Sequence, residues 1–151
     1  MTANSNGQLL LAGEAGTLLR SSDAGRHWEP LESPYDGSFF GVTAFHDNPQ
    51  RVIAYGLRGN IYLSNDFGSH WAQLNSGTNA SLFSATQLHN GKLLLVGDAG
   101  YQVTTDGDST QTTQHPSRQP MLSIIETNND ALLAFGPVGV VDLPRTSQEL
   151  K

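Results

Sequence analysis

Two eight-residue stretches, SSDAGRHW at 21–28 and SNDFGSHW at 64–71, decide how this sequence is interpreted. Both carry Ser, Asp, Gly, His and Trp at the same places, and their aspartates, Asp23 and Asp66, are 43 residues apart. Glycine adopts the positive φ angles that a tight turn requires, and an aspartate accepts hydrogen bonds from the N–H groups of such a turn. The repeated phrase therefore predicts two equivalent turns, each joining a pair of strands.

A degraded third copy, TTDGDSTQ at 104–111, favours a structural role for the phrase. It keeps Thr104 and Asp106 but has Asp108 where Gly stands in the other copies and Gln111 where Trp stands. A structural turn can decay in one copy, whereas a catalytic group generally cannot. The alternative is that Asp23 and Asp66 bind a metal or act as acids. The residues predicted to build the turns are Ser21, Asp23, Gly25, Trp28, Ser64, Asp66, Gly68, Trp71, Thr104 and Asp106.

The turns belong to a longer repeat that covers most of the chain. Four apolar runs, LLLAGEAG, VIAYGLRG, LLLVGDAG and LLAFGPVG, end at Gly16, Gly59, Gly100 and Gly139, at intervals of 43, 41 and 39 residues. A period near 40 with several short strands in each unit is typical of a β-propeller blade. No stretch of useful length has the 3.6-residue period of an amphipathic helix. The sequence predicts an all-β partial propeller of about 3.5 four-stranded antiparallel blades.

The predicted units are about 6–38, 39–81, 82–121 and 122–144, followed by a polar C-terminal tail at 145–151. In the first unit the innermost strand is either missing or reduced to the stub MTAN. The fourth unit contains three apolar runs and lacks an outer strand. Because both end units are incomplete, we expect two open sides where strands or apolar faces have no neighbour.

The pattern Ser/Thr-x-Asp-x-Gly-x-x-Trp resembles the Asp-box, or BNR repeat, of sialidases and many other propellers. Together with the run FFGVTAF…RVIAYGLRGNIYLSNDFGSHW, it is similar to the photosystem II stability/assembly-factor-like family. The resemblance covers about residues 8–143. It implies a propeller that binds another protein, with a membrane complex as one option for the partner. Members of that family usually carry about seven blades, and this chain carries about half that number.

Composition excludes several classes of function. The chain of 151 residues has no cysteine, which excludes disulfides and thiolate metal sites and leaves the compartment open. A net charge of −6 argues against nucleic-acid binding. The N-terminal MTANSNGQ is polar and is not a signal peptide, and no apolar run is long enough to span a bilayer. We expect a soluble protein.

The sequence offers no catalytic constellation. A sialidase requires converging arginines, a Tyr–Glu nucleophile pair and an acidic Asp, and the six arginines here (Arg20, Arg26, Arg51, Arg58, Arg118 and Arg145) do not form its motif. His46 and His89 occupy equivalent repeat positions without close ligand spacing, so surface roles are favoured over metal binding. There is no phosphate-binding loop or nucleophile elbow. We predict a protein that is not an enzyme and that uses no cofactor or metal.

The remaining candidate is a binding surface made by loops at one end of the blades. In a propeller, loops between strands 2 and 3 and loops between blades share one face, and the aspartate turns lie on the other. Aromatic residues and arginines are enriched in protein interfaces, and arginine recognises carboxylates. The predicted binding residues on this face are Tyr35, Asp36, Arg58, His115 and Arg118.

Taken together, the sequence predicts a non-catalytic protein-interaction or assembly module. The partner is expected to be a protein, with a membrane complex as one option and nucleic acid excluded. The alternative function is a fragment of a sialidase-like glycan-binding or glycoside hydrolase propeller. The open sides predict either a homo-oligomer or pairing with a missing N-terminal half-propeller.

Overall fold

The computed structural model describes residues 1–144, and this part of the chain is folded into strands and turns, with one-turn 3₁₀ segments at Leu57–Gly59 and Asp98–Gly100. Three sheets have four strands and the last has three, and every pair of neighbouring strands is antiparallel. No helix in the described part is long and apolar enough to cross a membrane. The prediction of an all-β partial propeller is confirmed.

Each sheet is formed from consecutive strands, as a blade requires. The first contains β1 (Thr2–Ala3), β2 (Leu9–Ala12), β3 (Leu18–Ser21) and β4 (Glu29–Pro30). The second contains β5 (Phe39–Ala44), β6 (Val52–Gly56), β7 (Ile61–Ser64) and β8 (Ala72–Leu74). The third contains β9 (Leu82–Gln87), β10 (Leu93–Gly97), β11 (Tyr101–Thr105) and β12 (Thr110–Gln114). The fourth contains β13 (Ser123–Glu126), β14 (Leu132–Gly136) and β15 (Gly139–Leu143).

The N-terminal stub forms the innermost strand of the first sheet. Thr2 pairs with Leu10 and Ala3 pairs with Leu9, so this sheet has four strands even though β1 has only two residues. The Thr2 hydroxyl also accepts a hydrogen bond from the N–H of Ala44 in the next sheet, with the two atoms 3.2 Å apart. The innermost strand of the first sheet is therefore present and is formed by the N-terminal stub. The predicted tail at 145–151 lies outside the described residues.

The sheets pack face to face in chain order, and the core consists of three layers between them. Strands β6 and β10 are buried at every position, because each is covered by a neighbouring sheet on both sides. Their sequences, VIAYG and LLLVG, are accordingly apolar without alternation, as expected for strands buried on both faces. The innermost strands contact one another from sheet to sheet: β1 contacts β5, β5 contacts β9 and β9 contacts β13.

The register of the central strand pairs makes the four sheets directly comparable. Leu9 pairs with Ser21, Val52 with Ser64, Leu93 with Thr105 and Leu132 with Leu143. These four pairs occupy the same place in each sheet. Any residue of one sheet can therefore be assigned an equivalent position in the others.

A glycine at the end of the second strand of a sheet allows the chain entering that sheet to approach closely. A Cβ atom on Gly97 would collide with the carbonyl oxygen of Ser81, and one on Gly56 would collide with that of Ser38. Gly13 occupies the equivalent position in the first sheet, but its nearest contact would be Thr17 at 3.6 Å. The entering chain therefore lies close to this glycine in the second and third sheets but not in the first.

Replacing Gly97 should be far more harmful than replacing Gly13. We expect Gly97→Ala to lower the free energy of unfolding by about 1–3 kcal/mol, because backbone atoms must move to admit the methyl group. Gly13→Ala, the matched control, should change it by less than about 0.5 kcal/mol. Urea unfolding of both variants measures the difference, and equal midpoints would contradict the packing described here.

Candidate functional site

The two turns at 21–28 and 64–71, here called the Asp turns, have the same hydrogen bonds. In the second, the Ser64 hydroxyl donates to Asp66 (2.8 Å) and accepts from the N–H of Gly68 (2.8 Å). The Asp66 carboxylate accepts from the N–H of His70 (2.9 Å), and the Trp71 indole N–H donates to the Gly68 carbonyl (3.1 Å). These contacts bind the two ends of the turn to each other.

The first Asp turn repeats this network atom for atom. The Ser21 hydroxyl donates to Asp23 (2.9 Å) and accepts from the N–H of Gly25 (2.8 Å). Asp23 accepts from the N–H of His27 (2.8 Å), and the Trp28 indole donates to the Gly25 carbonyl (3.1 Å). The carboxylates of both turns are therefore occupied by their own turn, which supports the structural assignment over the catalytic one.

Both Asp turns hold their carboxylates in the ionised form. The backbone N–H of His27, followed by its imidazole Nδ1 at 2.5 Å from Oδ2, lowers the pKa of Asp23 to about 2. At Asp66, partial burial acts to raise the pKa. Hydrogen bonds from the His70 side chain and N–H and from Ser64 outweigh that effect, and the pKa falls to about 2.

The third turn is built differently from the sequence prediction. The position equivalent to Ser21 and Ser64 is Thr105, one residue after the predicted Thr104. The Thr105 hydroxyl donates to the Ser109 carbonyl (2.6 Å) and accepts from the N–H of Gly107 (2.9 Å). The loop between the paired residues Thr105 and Thr110 has shortened to 106–109, so alignment of the letters places the threonine one residue too early.

Asp106 still holds the shortened turn. Its Oδ1 accepts from the N–H groups of Ser109 (2.8 Å) and Asp108 (2.9 Å), and these two bonds lower the pKa of the carboxyl group. Asp108, which replaces the glycine of the phrase, forms an ion pair with Arg51 of the preceding sheet at 2.7 Å. The degraded copy therefore contributes a contact between sheets.

Two arginines join neighbouring sheets at the Asp turns. Arg20 pairs with Glu29 (2.8 Å) and donates from Nη1 to the Ser69 hydroxyl in the turn of the next sheet (2.8 Å). Arg51 also donates to the Asp106 carbonyl (2.9 Å). Arg58 and Arg118 lie in different sheets' loops, and Arg145 is outside the described residues. Arg20 and Arg51 are thus engaged in contacts between neighbouring sheets.

The opposite end of the sheets carries the loop face, defined here as residues 13–17, 31–38, 56–60, 75–81, 97–100 and 115–120. At the hairpin tips of the first three sheets two consecutive residues have positive φ, for example Arg58 (58°) and Gly59 (70°). The tip then packs on the loop that leaves the same sheet: Gly16 donates its N–H to the Gly37 carbonyl (2.8 Å), and a Cβ on Gly100 would lie 3.1 Å from Arg118 Cα. Tips and loops between sheets form one surface.

The predicted binding residues divide into two groups on this surface. Asp36, Arg58 and Arg118 are exposed, as a binding role requires. Tyr35 belongs instead to the core between the first two sheets, where its half-buried ring stacks on Tyr62 with centroids 6.0 Å apart. His115 is half-buried and its Nδ1 lies 2.8 Å from the Ser117 hydroxyl. The ring of Tyr35 therefore fills space between two sheets, and its binding role stays a prediction.

Sequence reasoning missed an apolar ladder on the innermost strands beside the loop face. Its members are Phe40, Phe83 and Leu122, which occupy the same position in three successive repeats. Each follows directly after the residue that lies opposite the glycine ending the second strand of its sheet, and these glycines are Gly56, Gly97 and Gly136. Phe40 is 44% exposed and Leu122 is 52% exposed. The register shifts at this position in β5 and β9, and the rings of Phe40 and Phe83 contact each other with centroids 5.5 Å apart. The signal in the sequence is the apolar doublet FF, LF and ML at the repeat spacing.

A second missed cluster lies at the other end of the innermost strands. His89 donates its backbone N–H to Glu126 of the next sheet (2.6 Å), and its Nδ1 lies 2.6 Å from Asp130. The equivalent His46 donates its N–H to Gln87 in the same way (2.6 Å). The ligand atoms of His89, Glu126 and Asp130 lie within 4.8 Å of one another, close enough to share an ion. The repeated backbone contact shows that both histidine positions connect neighbouring sheets.

The Asp turns should make stability dependent on acid. A carboxyl group whose folded pKa is about 2, below the ordinary 3.8, stabilises the fold above pH 3.8, and that stability is lost as the pH falls towards 2. We expect the urea midpoint of the wild type to fall steeply between pH 4 and pH 2, and that of Asp66→Asn to fall less. Asp36→Asn, on the loop face, is the control. Parallel curves for Asp66→Asn and the wild type would contradict the assignment.

Comparison with known proteins adds to this geometry only at the level of fold. No protein-family model and no curated protein matches the sequence. Among solved structures, an ancestral GH74 enzyme has a TM-score of 0.77 at 15% identity over 94% of this chain and 22% of its own. The WD40 β-propeller domain of Doa1 has a TM-score of 0.73 at 14% identity over 97% of this chain and 50% of its own.

Two solved structures of YCF48 are also similar to this chain. The protein from Cyanidioschyzon merolae has a TM-score of 0.66 at 18% identity over 96% of this chain and 53% of its own. YCF48 bound to a D1 peptide has a TM-score of 0.69 at 16% identity over 97% of this chain and 49% of its own. The chain thus spans about half the length of YCF48 and of the Doa1 domain. It has the fold of β-propeller proteins, a group that includes enzymes and a peptide-binding protein.

Proposed function

We propose that this chain is a non-catalytic protein-interaction module of the Asp-box type, related in role to photosystem II assembly-factor-like proteins. The observation that carries the proposal is the apolar ladder of Phe40, Phe83 and Leu122. These three large apolar side chains occupy one repeat position, two of them are clearly exposed, and the rings of Phe40 and Phe83 contact each other across two sheets. Exposed apolar clusters next to polar residues are typical of protein-binding surfaces.

The surroundings of the ladder favour a protein segment as the ligand. Asp36, Arg58 and Arg118 are exposed on the adjoining loop face and offer both signs of charge. A peptide in an extended conformation could place apolar side chains on the ladder while its polar groups meet these loops. The complex of YCF48 with a D1 peptide, a similar structure, supports this class of partner. The proposed protein partner includes, as one option, a subunit of a membrane complex.

The alternative, a sialidase-like or glycoside hydrolase fragment, draws support from the similarity to the GH74 enzyme. Against it stand the roles of the polar residues in this chain. Asp23 and Asp66 accept hydrogen bonds from their own turns, and Arg20 and Arg51 join neighbouring sheets. These side chains have structural partners, which leaves them poorly placed to bind or cleave a sugar.

Selection from a random peptide display library tests the interaction. We expect the wild type to enrich a family of peptides with aromatic or aliphatic residues, and Phe40→Ser/Phe83→Ser to lose at least about tenfold in affinity for them. Val138→Ser, which removes an exposed valine from the fourth hairpin tip, should bind normally. The D1 peptide serves as a defined probe in the same assay. Failure to enrich any peptide, or equal binding by both variants, would reject the ladder as the site.

The alternative function is tested separately. A panel of chromogenic glycosides, including sialosides, should show no turnover above the buffer rate, and a glycan array should show no binding. Turnover that disappears in Asp23→Asn or Asp66→Asn, while the fold remains intact by circular dichroism, would establish the enzyme instead.

A further inference from the structure

Within residues 1–144, no other sheet packs on one face of the first sheet or on one face of the fourth sheet, and these two faces correspond to the two sides of the interfaces between neighbouring sheets. In the first sheet the uncovered positions are those of Leu9, Leu11 and Leu19, all half-buried. Their equivalents in the second sheet, Val52, Ala54 and Tyr62, are at most 7% exposed because the first sheet packs on them. The uncovered face of the first sheet is therefore equivalent to the face of the second sheet on which the preceding sheet packs.

The fourth sheet exposes the opposite type of face. Leu133, Phe135 and Val140 are equivalent to Leu10, Ala12 and Leu18 of the first sheet, which pack on the second sheet. Val140 is 61% exposed, whereas Leu18 at the same position is 2% exposed. Ile125, on the adjoining β13, adds a further exposed apolar side chain to this face. This face is therefore equivalent to the face by which the first sheet packs on the sheet that follows it.

The Asp turn of the first sheet shows the same incompleteness. In the second sheet, a Cβ on Gly68 would lie 3.1 Å from Leu10 and 3.0 Å from Leu31, both in the preceding sheet's chain segment. Within residues 1–144, a Cβ on the equivalent Gly25 would meet only Leu9 at 3.3 Å and Trp28 at 3.8 Å, both in the chain segment of its own sheet. Leu133 occupies the position of Leu10, so a fourth sheet placed before the first would bring Leu133 onto Gly25 as Leu10 lies on Gly68.

Charge complementarity indicates which chain covers these faces. Arg20 reaches Ser69 in the Asp turn of the next sheet. Asp142 occupies the position of Arg20 in the fourth sheet, and Arg26 occupies the position of Ser69 in the first. Both side chains are exposed, and neither has a hydrogen-bond or ion-pair partner within residues 1–144. Docking the fourth sheet on the first sheet of another copy brings Asp142 and Arg26 together.

We propose that two copies of this chain associate head to tail, each fourth sheet packing on the partner's first sheet, to close an eight-sheet ring. The same rotation from sheet to sheet that operates three times within the chain generates both contacts between copies, so a two-fold axis relates them. The proposal is independent of the peptide-binding function.

Sedimentation velocity across micromolar concentrations tests the association. The wild type should be a dimer. Arg26→Asp and Asp142→Arg should each weaken the homodimer about 100-fold, because each homodimer contains two like-charge contacts worth about tenfold each. Arg118→Asp, on the loop face, is the matched control and should remain a dimer. Circular dichroism spectra identical to the wild type show that each variant is folded.

Mixing the two single variants distinguishes this ring from other modes of association. In the mixed dimer one contact is the native pair of Asp142 and Arg26. The other contact joins the two substituted positions, where an acidic and a basic side chain meet again with their signs exchanged. The mixture should therefore restore dimers that neither variant forms alone. A wild type that stays monomeric at all concentrations would overturn the proposal. Absence of rescue on mixing would also overturn it.

Discussion

Burial of both faces of the central strands is the constraint on which the structure depends. A single sheet of this chain has an apolar surface on each side, and β6 and β10 have no exposed residue at all. Such a sheet is not stable alone in water, because its apolar area must be removed from solvent on both sides. Stacking satisfies this requirement for the second and third sheets, and it imposes the repeat on everything else. The turns, glycines and arginines have to keep neighbouring sheets at a constant spacing and rotation.

The polar contacts are specific solutions to that requirement, and they vary from sheet to sheet. Arg20 reaches a serine, whereas Arg51 reaches the carboxylate of Asp108 and a backbone carbonyl. The innermost strands are tied by Thr2 in one place and by Gln87 and Glu126 in others. Exposed ion pairs of this kind contribute little to stability individually. Their value lies in fixing the register of one sheet against the next, which the apolar layers alone do not determine.

Much of this architecture can be predicted from the sequence, because period, turn chemistry and apolar runs are local signals. The two Asp turns are recognisable with their bonding residues, since the hydrogen bonds connect residues within eight positions of one another. Alignment of the repeated sequences places the hydroxyl residue of the third turn one position too early. Only the pairing of the strands, which depends on long-range contacts, shows that Thr105 is equivalent to Ser64. The sequence does not reveal the packing of the Tyr35 ring for a related reason. A tyrosine in a polar loop has no local signal that its ring lies between two sheets.

The candidate site is predictable only in outline. The loop face and the exposed Asp36, Arg58 and Arg118 follow from the order of strands in a blade. The apolar ladder depends on register shifts that free Phe40 and Phe83 from regular pairing, and letter patterns do not reveal such shifts. The contact of His89 with Glu126 likewise joins residues that are distant in sequence and adjacent only after stacking. Features that repeat along the chain are visible in the sequence, and features that arise between repeats are not.

The stacking order also has a kinetic meaning. Each core layer joins only neighbouring sheets, so the stability of the array is close to a sum of nearest-neighbour terms, as in other linear repeats. The second and third sheets are covered on both sides, whereas the first and fourth lose only one layer when they detach. In a single chain separated from any partner, opening therefore begins at the two outer sheets and moves inwards, and strands β6 and β10 are the last to exchange their amide protons.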